Sequence, residues 1–363
     1  MAQAKRPRIK DVAAVASVSV AAVSRYLNKQ IELPRETASR IDRAVEKLGY
    51  RPSIIAQRLS RGKSEMIGLV TSDIAYPFFA AIASSAEEEA RRRGYSVIIC
   101  NTGNELSREI EYIDKLQAQH VDGLIFLTNH FDDGTLRNRL NQCSNLVLVD
   151  EDVLGTTAHK IFAENEAGGR IATQHLINAG HTRIAHITGL KGLASVEERL
   201  GAYRRTMKAS GLSVEAGYVQ YGTYNSYDET IESGYLAFQS LWSLSNPPTA
   251  VFAAADALAI GFMDAARAHG LSIPRDLSVI GFDDMPFAKL LNPPLTTIRQ
   301  SATEFGRRSV RRLLSLIDNE VMQGEVERVP VELVIRQSVG PPNLGDAKGQ
   351  SKTKNEMKED EMT

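Results

Sequence analysis

The sequence has little cysteine and no long apolar segment. Cys100 and Cys143 are the only cysteines among 363 residues, and each lies in or beside an apolar run. This predicts buried free thiols in a reducing compartment, not a disulfide framework. No apolar run approaches the roughly 20 residues of a membrane helix, and no signal segment stands at the N-terminus. We therefore expect a cytoplasmic protein without a membrane span.

Motifs for catalysis, phosphate binding and metal binding are also missing. The glycines of EAGGR (166–170) lack the Lys and Ser/Thr that follow the glycines of a P-loop. The seven histidines are scattered without metal-ligand spacing, and we expect His181 and His186 to cap or pack. The sequence thus predicts no enzyme activity, no cofactor and no metal site.

The charge is divided unevenly along the chain. Residues 1–63 contain 14 Lys/Arg and 5 Asp/Glu, whereas the remaining 300 contain 29 and 39, so the net charge of −1 hides a basic head on an acidic body. A solvated charged face would explain some of the lysines, but not a whole domain with this bias. The division favours a polyanionic partner for the head alone. The length predicts two or three domains.

Two short amphipathic helices joined by a tight turn are predicted between Ile9 and Asn28, because the apolar residues repeat at helical spacing with a break near Val18. The second helix begins at Ser19, a good N-cap. It carries polar and cationic side chains on a face that packing does not need. Such a helix can lie in a DNA major groove. The alternative is a small three-helix bundle without a ligand.

The stretch DVAAVASVSVAAVSRYLN (11–28) resembles the DNA-reading unit of the lactose/purine/ribose (LacI/GalR) repressor family, whose pattern is roughly DVAxxAGVSxxTVSRxLN. Ser17 replaces the usual turn glycine, so the turn carries some backbone strain. Ala22 replaces a common threonine. The resemblance implies a bacterial regulator that binds a near-palindromic double-stranded DNA operator as a homodimer.

By position, the resemblance assigns base reading to Val20 and Ala21. Both side chains are small and apolar, so they can touch thymine methyl groups but cannot form bidentate hydrogen bonds with bases. A third helix is predicted over 34–48, closed by Gly49. The other DNA contacts predicted in the head are Ser19, Ser24, Arg25, Asn28 and Thr37, of which Ser24, Asn28 and Thr37 suit phosphate contacts, which position without specifying.

Residues 52–63 show a short helical pattern with Ala56 and Leu59 on one face. Simple packing onto the following domain would explain these apolar residues. The resemblance implies another role, in which this hinge helix folds on DNA, pairs with its dimer mate and inserts Leu59, with Ala56 beside it, into the minor groove.

From residue 66 onward, continuous apolar runs alternate with amphipathic stretches. Such runs predict parallel strands covered on both faces, and hence an α/β fold with two parallel-sheet lobes. We expect the first lobe to close near Asp150 and the second to open near Asn165, with the late strands 293–300 and 333–338 crossing back. The remaining predicted strands are 66–72, 96–101, 123–127, 145–150, 160–164, 183–188, 250–254 and 277–284.

This layout is similar to periplasmic sugar-binding proteins and to the effector domain of the same repressor family. The resemblance rests on AYPFF (75–79), HVDGLIF (120–126), AGHTRIAHITG (179–189), ADALAIG (255–261) and VIGFDD (279–284). It implies a helix-turn-helix DNA-binding domain (1–51), a hinge helix (52–63) and a two-lobed effector-binding and dimerisation domain (64–341). The remaining residues 342–363 are polar and charged without an apolar period, so we expect a disordered charged tail. The tail lacks the leucine repeat with which some members form tetramers, so a dimer is expected.

Open α/β sheets bind ligands outside the carboxyl ends of their strands, and Asp150 and Asp283 end two predicted strands. Two carboxylates, the Arg199 guanidinium and several aromatic rings suit a neutral polyhydroxylated ligand. The alternative is that these residues are structural: Phe78 and Phe79 would belong to the core, and an Arg–Asp ion pair would join the lobes. The predicted effector-binding residues are Tyr76, Phe78, Phe79, Asp150, Arg199, Tyr224, Tyr227 and Asp283.

Three departures leave the effector open. Ala255 stands where the family usually has asparagine, Tyr76 replaces the asparagine common in ribose binders, and the loop 222–233 is longer than usual. A sugar or sugar derivative is the leading candidate, and a purine or another metabolite is the alternative. The resemblance implies a repressor with allosteric control by this effector. An activator, a solute-binding receptor and a sugar-processing enzyme are the rival functions.

Overall fold

The computed structural model of the protein describes residues 7–28, 31–50, 63–130, 134–319 and 324–343. The chain divides into two compact units, Met1–Glu65 and Met66–Thr363. Ala56 and Leu59, on which the predicted hinge contacts fall, lie outside the described residues, as does nearly all of the predicted tail.

The first unit contains the helices α1 (Ile9–Ala16), α2 (Val20–Leu27) and α3 (Arg35–Leu48). The turn between α1 and α2 is made by Ser17, which adopts the left-handed conformation (φ 53°) expected at the position of the missing glycine. Gly49 ends α3 in the same conformation (φ 59°). A small core holds the three helices together and consists of Val12, Ala13, Ala16, Val23, Ile41 and Ala44. The predicted helix-turn-helix is therefore confirmed.

The second unit contains two lobes, each built on a six-stranded sheet. The first sheet, in spatial order, is β11 (Val326–Val329), β5 (His159–Ala163), β4 (Leu146–Val149), β3 (Gly123–Phe126), β1 (Met66–Thr71) and β2 (Ser96–Asn101). All its strand pairs are parallel. The helices of this first lobe are α4 (Pro77–Arg92), α5 (Leu106–Ala118), α6 (Thr135–Leu140) and α11 (Ala302–Ile317).

The second sheet is parallel except for one edge, where its last strand runs antiparallel to its neighbour. In spatial order it contains β12 (Val331–Val334), β10 (Thr296–Gln300), β9 (Ser278–Asp283), β8 (Ala250–Ala253), β6 (Ile184–Thr188) and β7 (Val219–Tyr221). The helices of this second lobe are α7 (Asn165–Asn178), α8 (Ala194–Ala209), α9 (Tyr227–Trp242) and α10 (Asp256–Ala268). The two-lobed parallel α/β architecture is confirmed.

The predicted division between the lobes was only half right. The second lobe opens at Asn165, where α7 begins, as predicted. The first lobe does not close near Asp150, because β5 pairs with β4 and the late strand β11 pairs with β5. The late strand 293–300 does not return to the first sheet either: β10 lies beside β9 in the second sheet. The crossings are instead made by α11 and β11 into the first lobe and by β12 back into the second. An apolar run identifies a buried strand but carries no mark of the sheet to which it belongs.

Two strands were not predicted, because they are short and half-exposed. β7 and β11 lie at sheet edges, and their three or four residues are mostly exposed or intermediate. The prediction of an unusually long loop over 222–233 was also wrong. α9 begins at Tyr227, with the Ser226 hydroxyl as its N-cap, so the connection from β7 to α9 is only a few residues long.

Candidate functional site

The outer face of α2 displays most of the side chains predicted to contact DNA. Val20 is 46% exposed, and Ser19, Ala21 and Arg25 are also exposed, whereas Ser24 is half-buried. The opposite face is fixed by Val23, which is fully buried in the small core. Short side chains at the start of a helix and a cation in its last turn leave the helix narrow enough to enter a major groove.

Three of the predicted DNA-contacting residues are also tied to the fold. The Ser19 hydroxyl accepts a hydrogen bond from the amide of Ala22 at 3.1 Å, which caps α2. Asn28 is only 6% exposed at the C-cap of α2, so its side chain is less available to a phosphate than its neighbours. Thr37 is half-buried in the first turn of α3.

The carboxyl ends of the strands in both lobes face one interlobe cleft. Its cavity volume is about 40 Å³, and about 380 Å³ of space lies between the lining atoms when the solvent at the open mouth is counted. The cleft is therefore narrow, and a sugar-sized ligand needs small shifts of the lobes or side chains. The lining residues are Tyr76, Phe78, Phe79, Asn129, Asp150, Ser195, Arg199, Tyr224, Ala255, Asp283 and Gln300.

Asp150 and Asp283 both reach this cleft from strained backbone. Asp150 follows β4 with φ 74°, and Asp283 ends β9 with φ 121°. Positive φ values cost free energy for residues other than glycine, and such strain concentrates at functional sites. Both carboxylates were predicted from the strand-end rule, and the structure brings them to the same cleft.

Asp283 is 7% exposed, and its carboxylate joins the two lobes. It accepts hydrogen bonds from Nε2 of Gln300 at 2.6 Å and from the hydroxyl of Tyr76 at 3.4 Å. Burial raises the pKa of Asp283 to about 7, against the opposing effect of the nearby Arg199 guanidinium. A ligand that donates a hydrogen bond here would favour the ionised carboxylate.

This raised pKa predicts a pH dependence of stability. Between the ordinary aspartate pKa and about 7, the folded protein retains a proton on Asp283 that the unfolded chain has released. Thermal unfolding of effector-free protein should therefore show the melting temperature falling as the pH rises through this window to 8. Asp283→Asn removes the ionisation, so its melting temperature should fall less over the same range. Parallel pH profiles of the two proteins would contradict the assignment.

Arg199 lies inside α8 and is 5% exposed. Its Nε donates to Oδ1 of Asn165 at 2.9 Å, its Nη1 donates to the carbonyl of Ala254 at 2.7 Å, and the guanidinium lies 3.7 Å from the Phe282 ring centroid. Because these partners are neutral, its charge acts through space on the two cleft aspartates, lowering the pKa of each against the effect of burial.

Three buried polar atoms of the lining residues have no hydrogen-bond partner within the described part of the chain. They are Oδ1 of Asp150, the hydroxyl oxygen of Tyr224 and Oε1 of Gln300. Oε1 of Gln300 is an acceptor only, and so is Oδ1 of Asp150 when that carboxylate is ionised. A buried acceptor without a hydrogen bond costs free energy. The arrangement therefore suits a ligand rich in hydrogen-bond donors.

Glu151 stands beside Asp150 and ties the first lobe to the start of α8. Glu151 is 2% exposed, and its carboxylate accepts hydrogen bonds from the hydroxyl and the amide of Ser195. Burial, followed by the charge of Asp150, raises the pKa of Glu151 to about 8. This contact between Glu151 and the lining residue Ser195 was not predicted from the sequence.

The aromatic side chains divide into lining and supporting groups. Tyr76, Phe78, Phe79 and Tyr224 line the cleft. Tyr227 does not, since its ring packs edge-on against Tyr76 with centroids 5.4 Å apart. Its place in the predicted site is thus behind the wall of the cleft.

Four of the lining residues were not predicted from the sequence: Asn129, Ser195, Ala255 and Gln300. Ala255 was treated only as the loss of an expected hydrogen bond to the ligand. Asn129 lies just beyond β3, and Gln300 ends β10. The strand-end rule that selected the aspartates also points to both of these residues. Ala255 precedes α10, where its methyl group contributes no hydrogen bond.

His181 and His186 serve the packing of the second lobe. His181 Nε2 lies 2.9 Å from the carbonyl of Gly340, and His186 stacks on the Tyr203 ring with centroids 5.2 Å apart. The described ranges contain no group of three His, Cys, Asp or Glu residues suited to a metal ion. They also contain no helix of the length and apolarity needed to cross a membrane.

Comparisons with known proteins match both units. Residues 8–53 match the family model described as bacterial regulatory proteins, lacI family, and residues 173–339 match the periplasmic binding protein-like domain. The HTH-type transcriptional repressor PurR of Vibrio campbellii is 33% identical over 333 residues, covering 91% of this chain and 98% of that protein. The ribose operon repressor of Halalkalibacterium halodurans is 34% identical over 330 residues, covering 91% and 96%.

Solved structures extend the likeness over the whole fold. The lac repressor dimer bound to operator and the anti-inducer ONPF superposes with a TM-score of 0.81 at 29% identity, covering 93% of this chain and 100% of that one. A complex of the transcriptional regulator CelR with cellobiose gives a TM-score of 0.69 at 30% identity, covering 92% and 100%.

Proposed function

This chain belongs to the LacI family of bacterial regulatory proteins, and from that premise we propose that it is a repressor controlled by a small neutral sugar bound in the interlobe cleft. Repressors of this family bind operator DNA and small effectors as dimers and are not enzymes. Membership of the family does not fix the identity of the effector, since one similar relative is named PurR and another is named the ribose operon repressor.

The observation that carries the sugar proposal is that the cleft contains more buried carboxylates, which accept hydrogen bonds, than cationic side chains. Asp150 and Asp283 are both carboxylates, and Arg199 is the one cation among the described lining residues. An anionic ligand, such as a sugar phosphate or a nucleotide, would meet two carboxylates and a guanidinium that already has neutral partners. A polyol instead supplies hydroxyl donors to the carboxylates and apolar C–H faces to the aromatic rings.

The narrow cleft favours a small ligand. Its cavity volume of about 40 Å³ lies well below the roughly 300–1,000 Å³ typical of small-molecule sites, so even a ligand of monosaccharide dimensions requires small shifts of the lobes or side chains. A purine base is of similar size. However, several of its ring nitrogens and its carbonyl oxygen are acceptors, so it offers fewer donors to Asp150, Asp283 and Gln300 than a monosaccharide does.

We propose the DNA contacts and the domain limits on the same basis. Residues 1–51 form the DNA-binding domain, with the exposed face of α2 reading the major groove, and residues 52–63 form the hinge helix that carries Ala56 and Leu59 to the minor groove. Residues 64–341 bind the effector and dimerise, and residues 342–363 form a charged tail. The repressor acts in the cytoplasm and associates with the nucleoid through DNA.

Control of the operator requires that the effector bind two arrangements of the lobes with different affinity. The cleft is crossed by hydrogen bonds from Tyr76 to Asp283 and from Ser195 to Glu151. A ligand that inserts hydroxyl groups between these partners changes the distance between the lobes. Coupling free energies of about 1–3 kcal/mol are typical of such systems.

Electrophoretic mobility shifts with DNA from the region of the protein's own gene test the proposal. The salt concentration is held constant because phosphate contacts make the affinity steeply salt-dependent. The panel contains pentoses, hexoses, polyols, sugar phosphates, hypoxanthine and guanine. Change of a specific shift by one neutral sugar supports the proposal. A response to a purine alone, or to a sugar phosphate alone, would refute the sugar assignment, and absence of any specific shift would favour a solute-binding receptor.

A further inference from the structure

Tyr224 occupies the cleft in an unusual way for a loop residue. It lies between β7 and α9, yet its hydroxyl oxygen is buried among the lining residues and has no hydrogen-bond partner in the described chain. Burial raises the pKa of this hydroxyl above its ordinary value. The ring is thus directed inward, away from the solvent that surrounds the neighbouring Asn225.

The space for this ring exists because residue 189 is glycine. A Cβ atom built on Gly189 would lie 2.1 Å from Cε2, 2.5 Å from Cζ and 2.7 Å from Cδ2 of Tyr224. Real Cβ contacts are never this short, so any side chain at position 189 would displace the ring. Gly189 follows β6 directly, at the carboxyl end of the second sheet.

The backbone of the same segment is held from the first lobe. Nδ2 of Asn104 donates to the carbonyl of Tyr224 at 3.4 Å, and the amide of Tyr227 donates to Oδ2 of Asp73 at 3.3 Å. Asn104 and Asp73 both belong to loops of the first lobe. Because the backbone is anchored there, the ring cannot be accommodated by moving the segment without breaking contacts between the lobes.

We infer that Gly189 is a specificity-determining position that acts through Tyr224: the missing side chain admits the ring, which narrows the cleft and presents a hydroxyl to a small effector. A side chain at position 189 would expel the ring, widen the cleft and remove that hydroxyl. The inference rests on the proposed function in one respect, that the interlobe cleft is the effector site.

Nitration of the full-length protein by tetranitromethane tests the position of the ring without DNA or effector. In the wild type, Tyr224 should be nitrated at least fivefold more slowly than Tyr235, which is 39% exposed. In Gly189→Ala the two rates should become similar. Gly201→Ala is the matched control, since its Cβ would lie 3.0 Å from the flexible Nη1 of Arg205, and it should behave as the wild type. An unchanged Tyr224 rate in folded Gly189→Ala would overturn the inference.

A double-mutant comparison separates this role from general packing. If Gly189→Ala lowers the melting temperature, the loss should shrink to less than about 1 °C in a Tyr224→Ala background, because the clashing ring is then absent. Equal losses in both backgrounds would overturn the inference. If Gly189→Ala does not fold, the double variant should fold, and its failure to do so would have the same meaning.

The effector readout is added last. A sugar identified by the mobility shifts should lose at least tenfold in affinity for Gly189→Ala and remain unchanged for Gly201→Ala. Retained affinity in Gly189→Ala would refute the role in specificity. If no sugar acts on the operator, the proposed function fails, whereas the nitration result still decides whether Gly189 positions Tyr224.

Discussion

Replacing Asp283 by asparagine should weaken effector binding by roughly a hundredfold while leaving the operator affinity of the effector-free protein unchanged. A hydrogen bond to a charged group contributes about 1.5–3 kcal/mol, and a hundredfold change corresponds to about 2.7 kcal/mol. Asparagine keeps the size of the side chain, and its oxygen can still accept the hydrogen bond from Gln300 that Asp283 accepts at 2.6 Å. The change therefore removes the charge while retaining the shape of the cleft.

The stability of the Asp283→Asn variant gives an internal control. Since burial disfavours the ionised carboxylate, the variant should be at least as stable as the wild type at pH 8. A loss of effector response then cannot be ascribed to unfolding. Asp264→Asn, at an exposed position of α10 in the same lobe, should leave effector affinity unchanged. Calorimetric titration with the active sugar measures both variants, and wild-type affinity in Asp283→Asn would move the effector site away from this carboxylate.

The fold followed from local patterns wherever those patterns were strong. Continuous apolar runs such as GLIF in β3 and AVFA in β8 are buried on both faces, so they identified parallel strands without further information. The assignment of strands to lobes failed because no local pattern shows that β5 and β10 pair with the strands before them, β4 and β9, or that β11 pairs with the distant strand β5. A strand such as β11, with only Val329 buried, has no apolar signal of its own.

The candidate site was predictable in part, for a related reason. A carboxylate at the end of a buried strand is a polar group that the core does not require, so Asp150 and Asp283 stood out. Ser195 and Gly189 did not. Ser195 became visible through its hydrogen bonds to Glu151, and Gly189 through the Tyr224 ring that approaches it. Both contacts join segments far apart in the sequence.

The DNA-reading face can be tested by a substitution that leaves its own helix intact. Ala21→Glu places a carboxylate on the exposed face of α2, where we expect repulsion from DNA phosphates to lower operator affinity at least a hundredfold. Ala21 is in the first turn of α2, which has no acidic residue. A negative charge there interacts favourably with the helix dipole, so the helix should be at least as stable as in the wild type.

Ser39→Glu supplies the matched control, because it adds the same charge at an exposed position of α3 outside the predicted contacts. The long-range repulsion from one added charge is common to both variants and is screened by salt. Only Ala21→Glu should suffer the additional cost of a carboxylate brought against the base edges. Operator affinities measured at two salt concentrations separate the long-range repulsion from the cost of a carboxylate against the base edges. Circular dichroism checks that both variants are folded. Equal losses in both variants would mean that α2 does not enter the groove by this face.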